Sequence, residues 1–400
     1  MSLVYNQDER MLVDTAQSFF AEQSPVSAMR AQRDHPSLLG FDPSINQQIV
    51  EMGWNAICFD ETYGGLAFGH KGMGGIFEAM GQHLTASPLL SSVVLCGTVL
   101  QHFARSNQLS TDQCQLLEDI ISGDKRVALA LDEQARHQGS QVGLTASSVK
   151  DGYQLVGDKV LVMDAHGADA LIVAAKIDDD TEMSLFLVPA DAGFTHQNLS
   201  LIDSRQYSRI GFDGVKVDAD SLLGKAGTGQ AALEPALDLG RLCLASEMLG
   251  ACHSLFAMTL EYLKTREQFD AKIGSFQALQ HRAAQCFVEL ELARSTVISG
   301  FDLADAISPH QDDTLQQGAS QQQSVEQQAA VKAFAMAASL AKWKVGTMAD
   351  MLTREAIQMH GGIGVTDELD VGLYLKRIRV AQMCLGDGDF HLARFGELSD

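Results

Sequence analysis

Basic side chains are scarce in this chain: 29 Lys+Arg stand against 51 Asp+Glu, a net charge of −22. That balance repels polyphosphates and anionic lipid surfaces, so general nucleic-acid binding and attachment to an anionic membrane are not expected. An anionic ligand would have to meet a local cluster of basic groups. Paired cysteines are missing too. The seven present, Cys58, Cys96, Cys114, Cys243, Cys252, Cys286 and Cys384, are scattered without a CxxC pair and sit mostly in apolar helical context. Neither a metal-ligand pattern nor a disulfide framework is suggested, and a reducing, cytoplasmic setting fits. No apolar run reads as long enough to span a bilayer, so membrane insertion is not expected. The opening MSLVYNQDERMLVDTAQSFFAEQ is charged and amphipathic from its first turns, unlike a secretory signal.

Four hundred residues, 46 % of them hydrophobic, are enough for two or three packed domains. Residues 1–124 read as helical: apolar residues recur at three- and four-residue spacing in MLVDTAQSFFAEQ, INQQIVEMGW, GGIFEAMGQHL and LSSVVLCGTVLQHFA. Gly64 and Gly65 in CFDETYGGLAFGH mark a tight turn between the second and third of these. The period changes near Lys125, and residues 125–228 hold short β-branched runs such as VALALDE, ADALIVAAKI, MSLFLVPA and SRIGFDGVKVD, as in an antiparallel sheet or small barrel. Within them, GDKVLVMDAHGADALIVAAK reads as two strands joined by a loop. Residues 229–400 return to long helices, the first of them read as one amphipathic segment, and suit an antiparallel bundle. The stretch SPHQDDTLQQGASQQQ, residues 308–323, reads as a polar interhelical loop. The fold class is therefore α+β: a helical domain, a β domain and a helical bundle.

Four strings, YLKTREQFDAKIGSFQALQHRAA, AIQMHGGIGVTDELDVGLYLKR, MGWNAICFDETYGGLAFG and DERMLVDTAQSFFAE, resemble the acyl-CoA dehydrogenase family over essentially the whole chain. The two C-terminal strings are the specific ones. GLYLKR and LGDGDF look more like the branch acting on dicarboxyl-, branched- and steroid-side-chain acyl-CoAs than the medium-chain branch. The resemblance implies FAD as cofactor. It gives Arg266 and Gln268 the pyrophosphate, Phe269 the adenine end, and Gln277 a nearby contact. A guanidinium suits a pyrophosphate because its planar fork makes paired charge-assisted hydrogen bonds; taken alone, the string reads as an arginine capping a helix C-terminus with Phe269 as an ordinary core residue. Gly361, Gly362 and Gly364 remove side chains where the backbone turns sharply or meets a ligand, and a helix C-cap explains one of them. In the resembled family the motif contacts the FAD of a neighbouring subunit, which implies Gln358, Gly361 and Gly362 in that role and a tetramer, either of one chain or of this chain with a related subunit. His360 reads as a helix-end hydrogen-bonding residue.

Forming a 2-enoyl thioester requires a carboxylate near the α-carbon while hydride leaves the β-carbon. Relatives carry a glutamate at one of two places. Before the retained Arg241 stands Gly240, and in QMCLGDGDF an ungapped match puts Gly386 there and a one-residue shift puts Asp387. Asp387 is thus a candidate base or an Asx-type turn between two glycines. Glu247, seven residues beyond Gly240 on the same helix face, is the other candidate base or else a buried partner for Arg241 or another basic group. The β domain carries ALDEQARHQGSQ and GDKVLVMDAHGAD where relatives have a threonine-rich Gly-Ser-Asp loop and a Trp-containing strand. Position alone brings Asp132, Glu133 and Met163 toward the flavin, and sheet and loop placement explains them equally. The expected activity is oxidation of an acyl-CoA to a trans-2-enoyl-CoA with electrons passed to an electron-transfer flavoprotein. The alternatives are a half-site subunit whose partner carries the glutamate, and an oxidase releasing hydrogen peroxide.

Overall fold

The computed structural model describes residues 4–139, 141–307 and 321–400. In chain order the α-helices among these are α1 (Gln7–Gln23), α2 (Val26–Asp34), α3 (Pro43–Glu51), α4 (His70–His83), α5 (Thr98–Arg105) and α6 (Thr111–Ser122). After the strands come α7 (Gly229–Thr265), α8 (Gln277–Ile307), α9 (Gln321–His360), α10 (Val371–Met383) and α11 (Gly388–Ser399). The strands are β1 (Val127–Ala130), β2 (Thr145–Val149), β3 (Gly152–Met163), β4 (Ala170–Ile177), β5 (Met183–Pro189), β6 (Thr195–Ser200), β7 (Gln206–Asp218) and β8 (Leu222–Leu223). A two-stranded hairpin, β9 (Glu267–Gln268) with β10 (Ala271–Lys272), interrupts the C-terminal helices. Helices, then sheet, then helices is the order that periodicity predicts. Of the predicted polar loop, residues 308–320 lie outside the described residues, and Gln321–Gln323 already belong to α9.

Two compact units form, and neither is continuous in sequence. One, Met1–Arg30 with Gly69–Thr85 and Arg241–Asp400, is helical. Asn6 starts α1 by accepting from the Glu9 amide while the Glu9 carboxylate accepts from the Asn6 amide, a reciprocal cap. Helix α4 buries Met73, Ile76, Phe77 and Met80, each contributing roughly 1.5–3 kcal/mol by leaving water. It meets α7 backbone to backbone: a Cβ on Gly81 would fall 1.9 Å from the Glu247 carbonyl oxygen, and one on Gly250 would fall 1.8 Å from that of Glu78. Helix α7 is not the amphipathic segment expected. Leu239, Leu242, Cys243, Leu244, Ala245, Met248, Leu249, Ala251, Cys252 and Leu255 point in every direction and all are buried, so the helix passes through the core. It is also long and apolar enough to cross a membrane, which reading for unbroken apolar runs overlooked; 78 % of its apolar window is buried within the protein.

The other unit, Ala31–Phe68 with Ala86–Gly240, holds the eight-stranded sheet in the order β6-β7-β3-β2-β4-β5-β8, with β1 also on β4. The sheet is mixed. Both β1 and β2 run parallel to β4, and the other pairs are antiparallel. Apolar alternation carries no strand direction, which is why the sequence suggested antiparallel pairing throughout. Strand β6, THQNLS, is almost entirely exposed and pairs only at the edge, so its composition gave no strand signal. Before α5, Leu89–Gly97 winds as a buried π-helix, and its Ser92 hydroxyl accepts the Val127 amide at 3.0 Å. The Gly64–Gly65 turn is a steric necessity: Gly64 has φ 85°, and a Cβ on Gly65 would lie 2.1 Å from the Phe59 carbonyl oxygen.

Candidate active site

Helices α7 and α9 end together in the helical unit. The rings of Tyr262 and His360 lie 4.5 Å apart between centroids, so the stretch after α7 and the glycine corner after α9 leave the bundle side by side. The Arg266 amide extends α7 by one bond to the Tyr262 carbonyl at 2.9 Å. The hairpin follows, pinned by Lys272 through the Glu267 carboxylate at 2.6 Å and the Thr265 carbonyl at 3.0 Å. Its two turn residues are Phe269 at φ 56° and Asp270 at φ 57°. Two left-handed residues make the turn hairpins favour, but Asn-Gly is the natural occupant and a phenylalanine there is strained. Phe269 is 89 % exposed, touching Phe276 edge-on at 6.3 Å. A strained aromatic turned into water does nothing for the isolated fold. Arg266, Gln268 and Gln277 are exposed with it, and Arg266 forms no ion pair with any described residue.

Across the Tyr262–His360 contact, each glycine of HGGIG has its own reason. Gly361 takes φ 64° to end α9, and Gly364 packs so tightly that a Cβ would sit 2.9 Å from that of His360. Gly362 has neither excuse: its φ is ordinary and a Cβ would meet nothing within 4 Å. Its bare backbone opens onto the space beside exposed Gln358. His360 is buried with Nδ1 donating to the Ala356 carbonyl at 2.8 Å, a helix-end role, and its Nε2 is buried without a partner among the described residues. An uncommitted guanidinium, primary amides and open glycine backbone are the donors a pyrophosphate takes, so this corner fits a dinucleotide.

Deeper in the same unit, the candidate carboxylates meet different fates. Glu247 is 1 % exposed and gripped by Arg377, whose Nε and Nη2 each donate at 2.8 Å to its two oxygens. Arg377 is thus the basic partner that the sequence left open. Arg241, fully buried, instead donates from Nε to the Leu385 carbonyl at 3.2 Å and lays its guanidinium 5.5 Å from the Phe390 ring. Asp387, half-buried, stands at the N-cap of α11, accepting the Phe390 amide at 3.0 Å. The corner leading to it is contorted: Leu385 has φ 56° and Gly386 φ 109°. Lys342 of α9, buried and unremarked in the sequence, donates from Nζ to the carbonyls of Gln382 at 3.1 Å and Gly386 at 3.2 Å.

In the sheet unit, Glu133 is a fastener. Its Oε1 accepts Lys159 Nζ and the Leu144 amide, both at 2.8 Å, and Oε2 accepts the Gly143 amide at 2.9 Å. Burial alone would raise its pKa; the Lys159 ammonium and the two amides outweigh that and hold it below the usual range. Asp132 takes His137 Nδ1 at 2.8 Å. Both acids bind the loop after β1 to its own unit, while Met163 ends β3 half-buried. No group of His, Cys, Asp and Glu among the described residues could hold a metal ion.

Two family models match the chain: the acyl-CoA dehydrogenase N-terminal domain over residues 6–124 and the acyl-CoA dehydrogenase C-terminal domain over residues 227–397. The chain belongs to the acyl-CoA dehydrogenase family. Acyl-CoA dehydrogenase FadE27 of Mycobacterium tuberculosis is 29 % identical over 360 residues, which cover 89 % of this chain and 88 % of the relative. Among solved structures, the Tcur3481–Tcur3483 steroid acyl-CoA dehydrogenase superposes with a TM-score of 0.80 at 26 % identity, covering 98 % of each chain. A chain in the structure of the electron transferring flavoprotein of Acidaminococcus fermentans gives 0.84 at 25 % identity and 99 % of each. The chain is accordingly an oxidoreductase of that family.

Proposed function

We propose that the chain is an FAD-dependent dehydrogenase of an acyl-CoA thioester, yielding the trans-2-enoyl-CoA and passing electrons to an electron-transfer flavoprotein. The observation that carries the flavin is the exposed Arg266 guanidinium, which forms no ion pair with a described residue, in a chain of this family. Arg266 and Gln268 would hold the pyrophosphate, Phe269 the adenine end with Gln277 beside it, and Gln358, Gly361 and Gly362 the flavin of a neighbouring copy. That use accounts for a phenylalanine 89 % exposed in a left-handed turn. When bound, FAD supplies the hydride acceptor for the β-carbon.

Asp387 is the proposed base, taking the α-proton on its carboxylate. Glu247 is committed through both oxygens to Arg377, which leaves it the structural role. Capping leaves Asp387 near the end of a helix dipole that favours its anionic form. Arg241 and Lys342 hold the main chain that aims it. The test is anaerobic: the purified chain loaded with FAD should bleach on adding an acyl-CoA and recover with electron-transfer flavoprotein. A protein that takes up no FAD defeats the proposal.

One observation favours a second reading. With Gly240 and Gly386 at the usual glutamate positions and Glu247 engaged, no glutamate stands free at either place. A half-site subunit in a mixed tetramer would bind FAD fully yet never bleach alone, and would bleach once paired with a related chain.

A further inference from the structure

Lys342 occupies a core position. Ala338, Val345 and Ala349, its neighbours at three- to seven-residue spacing along α9, are all fully buried, and Lys342 itself is 2 % exposed. An ammonium there needs strong partners. It forms no ion pair with a described residue; both of its hydrogen bonds go to main-chain carbonyls, those of Gln382 and Gly386. These two carbonyls bracket the reversal between α10 and α11, where Leu385 and Gly386 both adopt left-handed backbone. A leucine holds such a conformation only when its surroundings force it. The third carbonyl of the corner, that of Leu385, is taken by Arg241. Two buried cations thus hold three main-chain carbonyls within residues 382–386, the single reversal that leads to Asp387.

Resting on the reading of Asp387 as base, we infer that Lys342 is a positioning residue: its ammonium, seated between the Gln382 and Gly386 carbonyls, sets the Leu385–Asp387 corner and so the direction of the Asp387 carboxylate. The titratable and charged groups acting on it are Arg241 from α7, Arg377 and Cys384 at α10 and its end, and Asp387 at the N-cap of α11; His391 of α11 lies against Gly386, and Arg377 is itself paired with Glu247. Desolvation pushes the Lys342 ammonium down to about 7, with Cys384 and Asp387 opposing and Arg241 and Arg377 adding to the shift. Removing its charge would also withdraw a cation that favours ionised Asp387.

The test is Lys342→Met, which keeps the stem and removes the donors. FAD stoichiometry and melting temperature should hold, and acyl-CoA affinity should stay within about threefold. Flavin reduction should slow by about 10- to 100-fold, as misplacing a reacting group does, with its acid limb moved up by about half to one pH unit. Independently of any chemistry, hydrogen exchange over residues 383–390 should quicken at least about tenfold while residues 371–379 stay unchanged. Wild-type exchange in that segment overturns the proposal. So does faster exchange with an unaltered rate and acid limb. A wild-type protein that no acyl-CoA bleaches defeats the dehydrogenase reading, and the exchange result still decides what Lys342 holds. Should the Met variant misfold, Lys342→Gln, with a shorter amide donor, carries the same readouts.

Discussion

Arg377 and Glu247 meet as a parallel fork, Nε and Nη2 each 2.8 Å from a carboxylate oxygen, with both side chains under 5 % exposed. Breaking such a pair by removing one member leaves a buried charge uncompensated, at about 3–5 kcal/mol, whereas replacing both with apolar residues is often neutral. Glu247→Gln and Arg377→Met should each lose about that much in urea unfolding, and the double variant Glu247→Leu/Arg377→Met should recover most of it. Additive losses would show that the pair is not coupled.

Asp387 invites a cleaner separation of structure from chemistry. Asparagine caps helices as well as aspartate does. Asp387→Asn should therefore unfold within about 0.5 kcal/mol of wild type while flavin reduction falls by about a hundredfold or more. Asp387→Ala should lose the cap as well, about 1 kcal/mol. Stopped-flow bleaching of Asp387→Asn at the wild-type rate would remove it from the mechanism.

Arg266 is exposed and forms no ion pair with a described residue, so Arg266→Met should leave the apoprotein's melting temperature unchanged. Charge-assisted bonds to a ligand are worth about 1.5–3 kcal/mol, which predicts FAD binding weakened about 10- to 150-fold by equilibrium dialysis. Unaltered FAD affinity would break the link between this guanidinium and the pyrophosphate.

The Phe269–Asp270 turn gives an opposite sign. Putting Asn-Gly there relieves two left-handed residues, so Phe269→Asn/Asp270→Gly should stabilise the apoprotein by up to about 1–2 kcal/mol while weakening FAD binding. Stability and affinity falling together would mean that Phe269 serves the fold.

Glu133 sets an acid limb. Its carboxyl is held below the ordinary range in the fold, so its contribution is complete above the unfolded value near 4.3 and disappears as pH falls through the lower folded value. Glu133→Gln should flatten stability against pH below about 4.5 and lower the plateau at neutral pH, because Lys159 would be left buried without its anion. An unaltered acid limb in denaturation curves would place that sensitivity elsewhere.

Much of the fold was legible. Runs such as ADALIVAAKI and MSLFLVPA became β4 and β5, and the long C-terminal periodicities became α7, α8 and α9, because local spacing reports which face of an element is covered. What spacing cannot report is which distant groups meet. Glu247 was recognisable as a carboxylate needing a partner, yet Arg377 lies 130 residues away in sequence and only packing pairs them. Lys342 did leave a trace, a lysine in register with Ala338, Val345 and Ala349, but a lysine in LAKWKV reads as one that reaches for solvent. The direction of β1 and β2 against β4 left no trace, since parallel and antiparallel partners ask for the same side chains.

The crossing of α4 and α7 constrains more than packing. Gly81 sits against the Glu247 backbone and Gly250 against that of Glu78, so each helix carries a notch that receives the other. Two interlocked notches forbid sliding: α4 cannot slip along α7 by even one residue without driving a side chain into a carbonyl. Any breathing of this unit must carry the two helices as a single girder, and an alanine at either notch would have to be answered by a shift of the whole beam.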